Sequence, residues 1–145
     1  MNSLPLAPGD NVRFRKTVTE TDVYLFAGIT GDFSPDHIDA MSSVAKRGGR
    51  IVHGALLIGF MSTASARIHE RHEVPNVSYG YDRVRFVKPV YFGDTVQVEY
   101  VVDEVDHATN RAFANVTCTN QRSEVVAVAR HIVTFLLGDG DEPSD

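Results

Sequence analysis

The 145-residue chain has no tryptophan and a single cysteine, Cys118. One thiol cannot close an internal disulfide, which excludes a disulfide-stapled scaffold and a multi-cysteine zinc site and favours a reducing compartment. An excess of one charge is also missing from the body of the chain. The formal net charge is −5, but four of the 19 acids (Asp139, Asp141, Glu142 and Asp145) follow the last basic residue, Arg130. Without them, residues 1–138 carry 15 acids against 14 bases. No basic stripe remains to bind nucleic acid, and no such partner is expected. The chain opens Met1-Asn2-Ser3-Leu4-Pro5, with neither a basic nor an apolar leader region, so no secretory signal and a cytoplasmic location are expected. The longest uncharged run, Ile51 to Ala66, falls short of the roughly 20 residues of a membrane-spanning helix, and no membrane partner is expected.

What is present is ordinary globular composition: 43% hydrophobic and 23% charged residues. The length predicts one domain over residues 1–137, followed by an acidic, disordered tail over 138–145. Val12 to Val18 alternates as a strand. Thr19-Glu20-Thr21-Asp22 offers N-cap chemistry for a short helix through Val23, Leu25, Phe26 and Ile29, closed by Gly28 and Gly31. Gly31-Asp32-Phe33-Ser34-Pro35 reads as loop, and a second short helix is predicted from Ile38 to Lys46. The Ile51–Ala66 run predicts a buried central helix beginning near His53. Four strands then follow, over Ser78–Val87, Thr95–Val105, a segment with Ala112, Ala114, Val116 and Cys118 on one face, and Val125–Leu137. Helices followed by antiparallel strands, with one buried helix, predict an α+β fold.

Three ordered stretches carry a family resemblance. Gly31-Asp32-Phe33-Ser34-Pro35-Asp36-His37, with Ser43 six residues on, resembles the signature of the MaoC-like, (R)-specific enoyl-CoA hydratase family. Gly49-Arg50-Ile51-Val52-His53-Gly54 resembles its second landmark, at the start of the central helix. Tyr79 to Phe86, with Pro89-Val90 and Gly93-Asp94, is similar to its third block. The resemblance spans roughly residues 8–137 and implies the single hotdog fold, a long central helix wrapped by an antiparallel sheet.

The implied activity is that of a hydro-lyase, adding water to a trans-2-enoyl-CoA to give an (R)-3-hydroxyacyl-CoA, or the reverse. That chemistry needs a base for water, an acid for the α-carbon and donors for charge developing on the thioester oxygen. By resemblance, Asp32 and His37 are the catalytic pair, with His37 the base. Gly54 would offer its backbone N–H to the thioester oxygen, and Ser62 would be a second substrate-binding residue. His53 is expected to order the loop before the helix. The substrate handle is coenzyme A or an acyl carrier protein. No cofactor is implied, and the resemblance implies a homodimer joined at its sheet edges, with a dimer of dimers as the next step of assembly.

The sequence departs from the family pattern at Ser34, where Asn is usual, and at Asp36, where an aliphatic residue is usual. A carboxylate beside His37 is expected to favour the imidazolium if the two groups meet. Arg83, Arg85 and Lys88 are candidates for coenzyme A phosphates, or simply the solvent face of a strand. Asp36, His37, Asp39 and His53 lack a recognised metal spacing, as do His69 and His72, and no metal is expected. Two further readings remain beside the hydratase: a dehydratase of carrier-bound 3-hydroxyacyl chains and a non-catalytic hotdog subunit that binds acyl thioesters. A thioesterase is disfavoured because Ile51–Ala66 contains no Asp or Glu.

Overall fold

The computed structural model describes residues 3–138, so all of the expected tail except Gly138 lies outside the described residues. The elements run β1 (Asn11–Thr17), α1 (Glu20–Thr30), α2 (Pro35–Ile38), α3 (Ala40–Arg47), α4 (Gly54–His69), β2 (Asn76–Phe86), β3 (Thr95–Asp106), β4 (Arg111–Thr119) and β5 (Val125–Phe135). The strands form one antiparallel sheet in the order β1-β3-β4-β5-β2, and α4 packs against β1, β3 and β4. The class is α+β, as expected.

Strand alternation places the core. Val96, Val98, Tyr100 and Val102 of β3 and Ala112, Ala114, Val116 and Cys118 of β4 all point inward and are buried. Leu57, Phe60, Met61, Ala64 and Ile68 of α4 meet them. Each large side chain buried here contributes about 1.5–3 kcal/mol, and the small side chains of β4 let helix and sheet approach closely.

Three local expectations need correction. The predicted helix from Ile38 to Lys46 is two pieces. Pro35 starts α2 at its first turn, where a missing N–H costs nothing, and Asp39 then caps α3 by accepting from the N–H groups of Met41 and Ser42. Strand β2 does not alternate cleanly. Its pairing with β5 shifts between Ser78 and Gly80 and again between Asp82 and Arg85, where Arg83 adopts φ 52°. Such bulges re-aim side chains, leaving Val84 only partly exposed and Phe86 exposed. Finally, α4 is not covered on every side within one chain: Ala55, Gly59, Ser62 and Ala66 form an exposed stripe at helical spacing.

The core also holds a polar group. His131 is fully buried, with Nδ1 2.8 Å from the Tyr100 hydroxyl and Nε2 2.7 Å from Ser78 Oγ. Burial, then the nearby His69, pushes the His131 imidazole down to about 4, so it is neutral and can donate at one nitrogen and accept at the other.

Candidate active site

The first site residue is placed by a helix end. The α1 N-terminus carries a capping box between Thr19 and Asp22, and its C-terminus turns on Gly31 at φ 80°, a conformation that favours glycine. The chain leaves the helix at Asp32. Its N–H donates to Thr30 Oγ1 (3.3 Å), and its Oδ1 accepts from the Ser34 N–H (3.2 Å), an Asx-turn. The other carboxylate oxygen, Oδ2, faces two histidines.

The second site residue is placed by a rail of backbone. Ile51 N–H donates to the Asp36 carbonyl (3.0 Å), Ile51 forms a bridge with Tyr91, and Val52 N–H donates to the Val90 carbonyl (2.7 Å). His37, on the single turn of α2, lies 2.7 Å through Nδ1 from the Ile51 carbonyl oxygen. A carbonyl only accepts, so this contact assigns the proton to Nδ1 and leaves a lone pair on Nε2. His37 Nε2 is 4.0 Å from Asp32 Oδ2. That is too long for a direct hydrogen bond, yet a water at about 2.8 Å from each fits between them. The His37 side chain is 12% exposed and that of Asp32 51%.

His53 completes the cluster. It is 2% exposed, and its Nε2 lies 2.9 Å from the Asp32 carbonyl oxygen, which assigns the proton there to Nε2. Its ring stacks on His37 at 3.7 Å and 25°, and Phe26 packs on it at 4.8 Å. Asp32, His37 and His53 thus bring three ligand-type atoms within 4.8 Å of one another. In these tautomers the His53 atom facing Asp32 carries a proton, so Asp32 and His37 are the two groups that offer lone pairs across the gap.

Gly54 follows directly as the first residue of α4. No side chain caps this helix end; Leu56 N–H turns back to the His53 carbonyl (3.1 Å), and the helix dipole favours negative charge beside the amides of Gly54 and Ala55 that precede it. A Cβ at Gly54 would stand 2.7 Å from the Phe86 ring. The glycine therefore admits an aromatic side chain from β2 to the mouth of the site.

Of the four residues expected at the site, the structure brings Asp32 and His37 together, and Gly54 follows His53, whose ring contacts His37 and whose Nε2 contacts Asp32. Ser62 stands apart, about 12 Å further along α4 at 1.5 Å per residue. It is exposed, and its hydroxyl approaches the buried Tyr81 hydroxyl without reaching hydrogen-bond geometry. Asp36 points to Arg47, with Oδ2 3.4 Å from Nε, so its carboxylate is engaged in an ion pair between α2 and α3. Among the basic residues considered for phosphates, Lys88 is paired with Glu124, and Arg85 donates to the Val84 carbonyl. Sequence reasoning missed the Ile51 carbonyl, the stack of His53 on His37 and the Phe86 ring over Gly54. The first is a backbone group with no residue signature, and the other two are contacts between distant segments.

Residues 4–126 match the family model described as "MaoC like domain". The chain is 34% identical over 114 residues to the (R)-specific enoyl-CoA hydratase of Rhodospirillum rubrum, covering 77% of this chain and 76% of that protein. It is 30% identical over 129 residues to the 3-hydroxyacyl-thioester dehydratase Z of Mycobacterium tuberculosis, covering 83% of each. Among solved structures, the (R)-hydratase from A. caviae involved in PHA biosynthesis superposes with a TM-score of 0.83 at 23% identity, over 92% of this chain and 100% of that one. That likeness shows the fold, which is the hotdog.

Proposed function

This chain belongs to the MaoC-like domain family, and on that premise we propose that Asp32 and His37 add water to, or remove it from, an acyl thioester. The protein is a hydro-lyase of the hydratase/dehydratase type, interconverting a trans-2-enoyl-CoA and an (R)-3-hydroxyacyl-CoA, as its relatives' names indicate. The observation that carries the residue assignment is the 4.0 Å gap between Asp32 Oδ2 and His37 Nε2, with the Nε2 lone pair fixed toward it by the Ile51 carbonyl.

In the hydration direction, His37 Nε2 takes a proton from the bridging water as the water oxygen bonds to C3 of the enoyl chain. The displaced electron pair moves through C2 to the thioester oxygen. There the Gly54 N–H, at the uncapped start of α4, stabilises the enolate. His37 Nε2 then returns that proton to C2 from the same face while Asp32 accepts from the new C3 hydroxyl and holds it in place, which makes the addition syn and regenerates the neutral imidazole. Ser62 is too far along α4 to touch the thioester, and its place on the exposed stripe suits contact with the acyl chain.

The same reading supposes a homodimer in the cytoplasm. The edge strand β2 exposes Val77, Tyr79 and Phe86, and an edge with open backbone groups and apolar side chains invites pairing with a second copy. No helix among the described residues is long and apolar enough to cross a membrane. A spectrophotometric screen of enoyl thioesters from crotonyl-CoA upward, each also offered on a carrier protein, tests the activity. Loss of the conjugated absorbance on at least one thioester is expected. Its absence on all of them would favour a non-catalytic thioester-binding subunit.

A further inference from the structure

We propose that His53 is a positioning residue of the reaction, holding both members of the Asp32–His37 pair at water-bridging separation. This rests on the function proposed above and goes beyond the loop-ordering part that the sequence suggests for His53. The two reacting groups come from different segments: Asp32 leaves the end of α1, and His37 rides on the isolated turn of α2. No direct bond joins their side chains, since the gap is 4.0 Å. A one-turn helix and an Asx-turn do not by themselves fix a distance between their side chains.

His53 touches both. Its Nε2–H donates to the carbonyl of Asp32, which pins the backbone from which the carboxylate projects. Its ring face lies on that of His37 at 3.7 Å, so the His37 ring cannot tip out of plane without losing this contact. The two histidines are held in opposite tautomers by two backbone carbonyls, Ile51 on Nδ1 of His37 and Asp32 on Nε2 of His53. Of the two lone pairs this leaves, the one on His37 Nε2 faces Asp32 across the water-sized gap, whereas that on His53 Nδ1 is buried without a hydrogen-bond partner. The Nε2 of His53 is equally near Asp32 Oδ2, at 4.0 Å, but its proton prevents it from serving as base. At 2% exposure, and packed by Phe26, His53 has little freedom to move.

Two variants separate its contacts. His53→Phe keeps a ring for His37 but cannot donate to Asp32; His53→Gln keeps a donor and loses the ring. Each is expected to lower kcat by about 100-fold, the size of effect seen when a reacting group is misplaced by about 1 Å, with KM within about threefold. Long-range 15N imidazole NMR supplies a readout that a purely structural residue would not move. In the wild type His37 should carry its proton on Nδ1 and His53 on Nε2, and in His53→Gln the His37 signal should become a mixture of tautomers. Either folded variant retaining kcat within about threefold would overturn the proposal, as would a wild-type His53 protonated on Nδ1. If neither variant folds, the wild-type tautomers decide. A wild type inactive on every thioester would refute the hydratase reading, while the tautomer measurement would still report on the contact.

Discussion

The Asp36 carboxylate lies 3.4 Å from the Arg47 guanidinium nitrogen Nε, so the charge next to His37 in sequence is engaged by α3 and not by the imidazole. Adjacent residues on a helical turn point about 100° apart, and the turn that aims His37 at Ile51 aims Asp36 toward Arg47. Asp36→Val, which restores the aliphatic residue usual in the family, should therefore leave the acidic limb of the kcat/KM pH profile in place. A limb displaced by half a pH unit or more would mean that the carboxylate does act on His37.

Acid should destabilise the fold through two histidines far along the chain from the dyad. Burial first, and then a neighbouring histidine, pushes His69 and His131 down to about 4 from an ordinary 6.5. Between those values the unfolded chain binds protons that the folded one refuses. The stability they contribute is thus complete above about pH 6.5 and is lost as pH falls toward 4, a loss on the order of a few kcal/mol. Thermal melts at pH 7.5 and 5.0 should show a clear drop in Tm. His131→Asn should start lower, because Tyr100 and Ser78 lose a partner, but should fall less between the two pH values. Parallel pH slopes in the variant and the wild type would contradict this.

Gly54→Ala probes the crowded start of α4. The added Cβ would meet the Phe86 ring at 2.7 Å, and that ring, 51% exposed, can swing outward. The expected result is a small loss of Tm with a fall of about tenfold or more in kcat/KM, because a donor to the developing oxyanion is displaced. Unchanged kinetics would remove Gly54 from the site.

Much of this architecture was legible in the sequence, and the reasons are local. The capping box at Thr19 and Asp22, the glycine at 31 and the alternation of β3 and β4 depend on residues near one another in the chain. Asp32 and His37 were legible through a motif, and the structure brings them together. The division between α2 and α3 was not, since Asp39 acts as a cap only once Pro35–Ile38 has closed its own turn. The open stripe on α4 is hidden from a sequence for a related reason. An uncharged helix suggests burial on all sides, but one chain covers only the face toward β1, β3 and β4. The carbonyl of Ile51 and the ring of His53 reach the site through tertiary contacts, and sequence spacing carries no trace of them.

That open stripe and the edge strand β2 lead to an expectation about assembly. Light scattering at micromolar concentration should give about twice the chain mass, and Tyr79→Lys with Val77→Lys should shift it toward the single-chain value, since charges on an edge oppose pairing. A wild type that behaves as a single chain would contradict the expected pairing.

The most direct test of the central claim is the hydration rate of Asp32→Asn and His37→Ala on the best thioester substrate of the wild type. Asp32 lies on a polar loop, so Asp32→Asn should keep nearly all of its Tm; His37→Ala gives up the bond to the Ile51 carbonyl and the stack on His53 and should fold with the same far-ultraviolet spectrum at a lower Tm. The account predicts that each loses about 100-fold or more in kcat, the contribution of a general acid–base group. Either variant, folded and within a few-fold of the wild type, would show that the water is not activated between Asp32 and His37.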